Sequence, residues 1–132
     1  MTVVTRSARM WGFAIVAASF AVAIVESGVV FRADNVLPGW DKAIHALCAF
    51  GIVLALAPTR DRRRLGALAA IAIGLGWEVA QFWIDPYQGH TVALYAVDTV
   101  TDLTADVIGA LAAVCPPTRT AAPRPSVSAT PR

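Results

Sequence analysis

Apolar residues recur along the chain in four long runs, at 10–31, 40–57, 65–84 and 98–115, parted by short polar stretches. A helix needs about 20 mostly apolar residues to cross a bilayer, within a range of about 17–25. All four runs meet that length. The first is interrupted once, by Glu26, and the second opens on Trp40-Asp41-Lys42. The fourth carries Asp98, Asp102 and Asp106, and the apolar stretch from Thr91 to Val97 before it either extends the helix or lies in the interface. The pattern predicts an all-α fold: an integral membrane four-helix bundle over residues 1–115. The second and fourth runs are the shortest and most polar, so they belong inside the bundle. The tail 116–132, rich in Pro, Ala, Ser, Thr and Arg, is expected to be disordered. The first run also has signal-peptide features, with Arg6 and Arg9 ahead of it and Ala21-Val22-Ala23 within it. Its apolar stretch continues to Phe31, which favours a retained span, and the orientation of the remaining helices is the same either way.

Composition sharpens this picture. Apolar residues make up 57% of the 132 and charged residues 15%, with a mean hydropathy of +0.61. Soluble domains are closer to half apolar and a quarter charged. Charge placement then orients the bundle. Arg6 and Arg9 precede the first run, Arg60, Arg62, Arg63 and Arg64 lie between the second and third, and Arg119, Arg124 and Arg132 follow the fourth. These are nine of the eleven basic residues, and in a four-span arrangement all nine fall on one side. Positive residues favour cytoplasmic loops, so both termini are expected on the cytoplasmic side. Basic residues confined to short loops and tails, without interleaved aromatics, make nucleic acid an unsuitable partner. Cys48 and Cys115 differ in depth by roughly 13 Å at helical rise, which excludes a bridge between them.

The same orientation places eight of the nine acids, all but Asp61, outside the membrane or in its outer half. His45 and His90 are on that side too. Spacing gathers these groups onto faces. Asp41 and His45 are i and i+4, Glu78 and Gln81 are i and i+3, and Asp98, Asp102 and Asp106 follow one another at i+4. The aspartate stripe runs on into Gly109 and Ala113, and Gly66, Ala70 and Gly74 lead up to Glu78. Small residues let helices approach closely in lipid, so the acids point into the bundle. An ionised acid at the membrane centre costs about 2.5–3.5 kcal/mol. The cluster must therefore share protons, pair with His45 or Lys42, or bind a cation. Glu26 and Asp98 stand at its outer margin.

Three pieces in order resemble the VanZ-like family of small multi-span bacterial membrane proteins: Asp41-Lys42-x-x-His45 opening one helix, Glu78-x-x-Gln81 late in the next, and Asp102-x-x-x-Asp106-x-x-Gly109-Ala110 in the last. The resemblance covers residues 40–114. It implies a multi-span membrane fold and, for one branch, a link to resistance against a glycopeptide antibiotic, without implying a reaction. Asp106 stands where the family often has Asn, and Gly89-His90 where it often has Gly-Arg. The extra acid favours a cation site over an anion site.

The residues admit three functions. In the first, an enzyme site opens to the outer face: His45 is general acid or base, oriented by Asp41, while Glu78 and Asp102 supply a second acid. Glu78, Asp102, Asp106 and His45 are then also the candidate ligands of a divalent metal, and the substrate is lipid-linked or other cell-envelope material at the outer leaflet. In the second, the acids form a proton or ion path. The inner halves of the spans lack acids, so a monomer gives half a route and an oligomer would have to complete it. In the third, the protein is a non-catalytic accessory whose polar residues are interhelical glue, worth about 0.6 kcal/mol each.

Overall fold

A computed structural model describes residues 3–27, 39–84, 86 and 91–115, with the side chains of 3, 4 and 24–27 left aside. Over these residues the chain is all-helical and forms a four-helix bundle: α1 (Val3–Ser27), α2 (Trp40–Leu56), α3 (Arg63–Ile84) and α4 (Val92–Val114). The expected tail at 116–132, His90 and the side chain of Glu26 lie outside the described residues.

The starts of α2 and α4 have local causes. Gly39 adopts φ 81° ahead of α2, a left-handed conformation that side chains disfavour. Thr91 caps α4, its hydroxyl accepting from the Leu94 amide at 3.4 Å. That cap decides the open question at this end: the stretch after Thr91 is helical, so α4 begins six residues before Asp98. α1 likewise begins earlier than its apolar run and carries Arg6 and Arg9. Pro58 follows the end of α2, and a 3-10 turn over Arg60–Arg62 leads into α3.

The arginines at this end of the bundle serve the helix C-termini, whose last carbonyls have no partner within their own helix. Arg9 Nε donates to the Ala55 carbonyl at 3.2 Å, and Arg63 donates to the Ala113 carbonyl at 2.8 Å. Each cation thus sits where the helix dipole of a neighbour is negative.

α2 is the central helix, flanked by α1 and α4, and α3 packs on both α2 and α4. Small residues make these close approaches. The core joins Ala49, Val53, Ala67, Ala70, Ala110 and Ala113, and Val53 is its largest fully buried side chain. Gly109 lies against the backbone carbonyl of Ala46, where a methyl group would collide with main chain. We expect Gly109→Ala to lower stability by about 1–2 kcal/mol, because backbone on both sides cannot yield. Thermal unfolding of the purified variant reads this directly, and an unchanged midpoint would show that α2 and α4 are free to separate.

The large apolar side chains face outward: Trp83 is 80% exposed, Leu65 68% and Trp11 66%. Buried positions hold instead Ala, Gly, Val53, Ser19 and three acids, Glu78, Asp102 and Asp106. One stretch among the described residues, Arg60–Ile84, is by length and composition long and apolar enough to cross a membrane. α2 has 17 residues, and α4 carries its three aspartates within 23.

Candidate functional site

Three helices bring the predicted acids and histidine together. α2 contributes Asp41, Lys42 and His45 from its first two turns, α3 contributes Glu78, and α4 contributes the aspartate stripe. The i+4 spacing of that stripe keeps Asp98, Asp102 and Asp106 on the face turned to α2. The exposed end is wet and the lower part is dry. The Asp98 side chain is 40% exposed and that of Asp41 36%, whereas Glu78, Asp102 and Asp106 are all at 5% or less as residues.

Lys42 organises the upper half. Its ammonium lies 2.6 Å from Asp41 Oδ2, 2.5 Å from Asp98 Oδ1 and 2.7 Å from Asp102 Oδ1. One cation thus faces three carboxylates from two helices. The Asp102 contact is a close ion pair, although its angle departs from that of a hydrogen bond; at 2.7 Å the charge–charge attraction is what counts. Lys42 was legible in the sequence only as a partner for Asp41 or a residue reaching outward. Its second and third partners are 56 and 60 residues away along the chain, and no local spacing reveals them.

His45 organises the lower half. Its Nδ1 is 3.2 Å from Asp106 Oδ1, a hydrogen bond joining α2 to α4. Its Nε2 faces Glu78 Oε1 and Asp102 Oδ1, each at 3.9 Å. This corrects the expected orientation of the histidine by Asp41. Asp41 is drawn to the full charge of its neighbour Lys42, and Asp106 takes its place beside the imidazole. Toward an ionised Asp106, Nδ1 acts as the proton donor. In the neutral ring Nε2 then presents a lone pair toward two carboxylate oxygens.

The Nε2 atom of His45 and the carboxylate oxygens of Glu78 and Asp102 lie within 4.8 Å of one another, close enough to hold one ion. A second such group, Asp41, Asp98 and Asp102, already surrounds the Lys42 ammonium. Asp106 stands behind His45 rather than among the converging oxygens. Gln81 is half-buried on α3 and enters none of the ion pairs. Three buried carboxylate oxygens, Glu78 Oε1, Asp102 Oδ1 and Asp106 Oδ2, have no hydrogen-bond partner, although Asp102 Oδ1 lies 2.7 Å from the Lys42 ammonium.

Gly74 is an unforeseen part of the site. A methyl group there would overlap the Asp106 carboxylate, so α3 passes close enough to hold Asp106 against its backbone only because residue 74 has no side chain. The small-residue stripe Gly66, Ala70, Gly74 indicated a packing face but not this function.

No protein-family model, curated protein or solved structure matches this chain.

Proposed function

We propose that this chain is an integral protein of the bacterial cytoplasmic membrane, N-in and C-in, with a divalent-cation site formed by His45, Glu78 and Asp102. In this reading the site opens toward the outer face and serves a lipid-linked or other cell-envelope substrate, and the resemblance of residues 40–114 to VanZ-like proteins implies the multi-span membrane fold. The carrying observation is the arrangement around His45: its Nε2 faces two buried carboxylate oxygens at 3.9 Å, of which Glu78 Oε1 has no hydrogen-bond partner and Asp102 Oδ1 is shared with the Lys42 ammonium at 2.7 Å. Lys42 offsets Asp102, and a second cation beside Glu78 Oε1 would relieve the repulsion that remains. The 3.9 Å separation exceeds a hydrogen bond; tetrahedral ligands of one ion at bond lengths of about 2.1 Å stand about 3.4 Å apart, so the side chains would draw in around the ion. Asp106 fits the same reading as the outer partner that fixes the tautomer of a ligating histidine. The oxygen-rich set suits magnesium or manganese, and the imidazole also admits zinc.

The membrane part of the reading is supported by the reversed distribution of side chains. Trp, Leu and Ile are outside and carboxylates inside, an arrangement that water would penalise and hydrocarbon favours. Basic residues at one end and acids at the other give the orientation.

Metal analysis of protein purified in mild detergent tests the proposal. Wild type is expected to carry close to one divalent ion per chain, and Asp102→Asn to lose it with its helix content intact. Metal-free wild type, after exposure to magnesium, manganese and zinc in turn, would overturn the cation site. The accessory reading would then lead, because two ion pairs of Lys42, to Asp98 and Asp102, already join α2 to α4.

A further inference from the structure

One oxygen is shared between the two halves of the cluster. Asp102 Oδ1 lies 2.7 Å from the Lys42 ammonium and faces His45 Nε2 at 3.9 Å. Glu78, 5% exposed, turns its unpartnered Oε1 toward the same imidazole nitrogen, also at 3.9 Å. The oxygens around Lys42 are themselves placed to hold an ion: those of Asp41, Asp98 and Asp102 lie within 4.8 Å of one another. The ammonium fills that group, at 2.6 Å from Asp41 and 2.5 Å from Asp98. Two cation positions thus meet at one buried carboxylate, and a tethered cation of the chain itself occupies one of them.

A divalent ion on Asp102 Oδ1 takes a bond of about 2.1 Å. With the ammonium 2.7 Å from the same oxygen, the two cations are then at most about 4.8 Å apart. Like charges at that distance repel, and more strongly where water is scarce. Lys42 has an alternative: the side chains of Asp41 and Asp98 are 36% and 40% exposed, and the ammonium already touches both. We propose that Lys42 is a built-in competitor of the divalent ion, which binds by pushing the ammonium off Asp102 toward Asp41 and Asp98. The competition rests on the cation site at His45, Glu78 and Asp102, and it gives that site selectivity. A free monovalent ion carries no more charge than the ammonium and lacks the high effective concentration that tethering confers, so it does not displace the lysine. A divalent ion gains twice the attraction from Glu78 and Asp102. Binding also exchanges one tie for another. The Lys42–Asp102 pair joins α2 to α4, whereas an ion on His45, Glu78 and Asp102 joins α2, α3 and α4.

Calorimetric titration of manganese into the full chain, in non-ionic detergent and mildly alkaline buffer, tests the competition. Wild type is expected to bind one ion and Asp102→Asn none, which establishes the site itself. Lys42→Met is expected to bind manganese at least about tenfold more tightly than wild type. Lys42→Arg keeps the charge and is expected to bind about as wild type does. A lysine that only held the helices together would give the opposite sign, because a loosened site binds more weakly. Lys42 is the single lysine of the chain, so isotopic labelling of lysine reads its ammonium alone in wild-type protein, whatever the stability of the variants. One equivalent of manganese, a paramagnetic ion, is expected to broaden that magnetic-resonance signal away. A signal left sharp at full occupancy overturns the competition. So does wild-type binding that Asp102→Asn removes but a folded Lys42→Met does not tighten, and the cation site then stands without it. Absence of manganese binding in both wild type and Lys42→Met overturns the site and the competition together.

Discussion

Lys42→Met is expected to lower the stability of the bundle by about 3 kcal/mol, the largest loss of any single substitution in the polar cluster. Removing one partner of a buried ion pair costs about 3–5 kcal/mol, because the other charge stays buried without compensation. The exposed ends of the network reduce this figure. Asp41 and Asp98 have side chains 36% and 40% exposed and can regain water when the ammonium is lost. Asp102 cannot, since its side chain is 6% exposed, so the cost falls mainly on that residue. Two consequences follow for measurement. Chemical or thermal unfolding in detergent should show the loss, and the double variant Lys42→Met with Asp102→Asn should recover most of it. A double variant no more stable than Lys42→Met alone would place the lysine's contribution with the exposed acids instead. The expected recovery concerns stability only, since Asp102→Asn also removes a ligand from the proposed cation site.

How the fold and the site came to be legible differs residue by residue. Helix number and approximate limits follow from hydrophobic run length, which local sequence carries in full. The start of the fourth run was ambiguous because Thr91 to Val97 is apolar enough for either a helix or an interfacial strip; the Thr91 cap, a local signal, settles it in favour of helix. The aspartate stripe was legible because i+4 spacing on one helix sets a shared face. Its partners were legible in type but not in pairing. The Asp41–His45 spacing suggested a local pair, whereas the fold gives Asp41 to Lys42 and His45 to Asp106. Pairing across helices depends on their rotation and relative depth, which close contacts such as Gly109 on Ala46 determine. Gly74 belongs to the same class. A glycine in an apolar helix reads as a packing residue until the acid lying against it is known.

The same cluster contains a residue for which the expected sign is reversed. Glu78→Met is expected to raise the stability of the metal-free protein by about 1–3 kcal/mol while abolishing divalent-cation binding. Glu78 is 5% exposed, its Oε1 has no hydrogen-bond partner, and its nearest basic atom, His45 Nε2, is 3.9 Å away. A carboxylate so placed loses its hydration and gains little in return. Methionine has similar length, is apolar, and fills the space without a polar atom to satisfy. Lys42 and Glu78 thus test different descriptions of one cluster. If the acids were interhelical glue, both substitutions would destabilise, since each would remove an attraction between helices. If the site is built for a ligand, Glu78 is held in a state that costs stability until the ligand arrives, and its removal relaxes the bundle. Unfolding with chelator present should therefore find Glu78→Met above wild type. Excess of the bound ion should reverse the order, because wild type alone then gains the binding energy. A Glu78→Met protein less stable than wild type under chelator would assign the acid to glue, and the cation site would lose its central ligand.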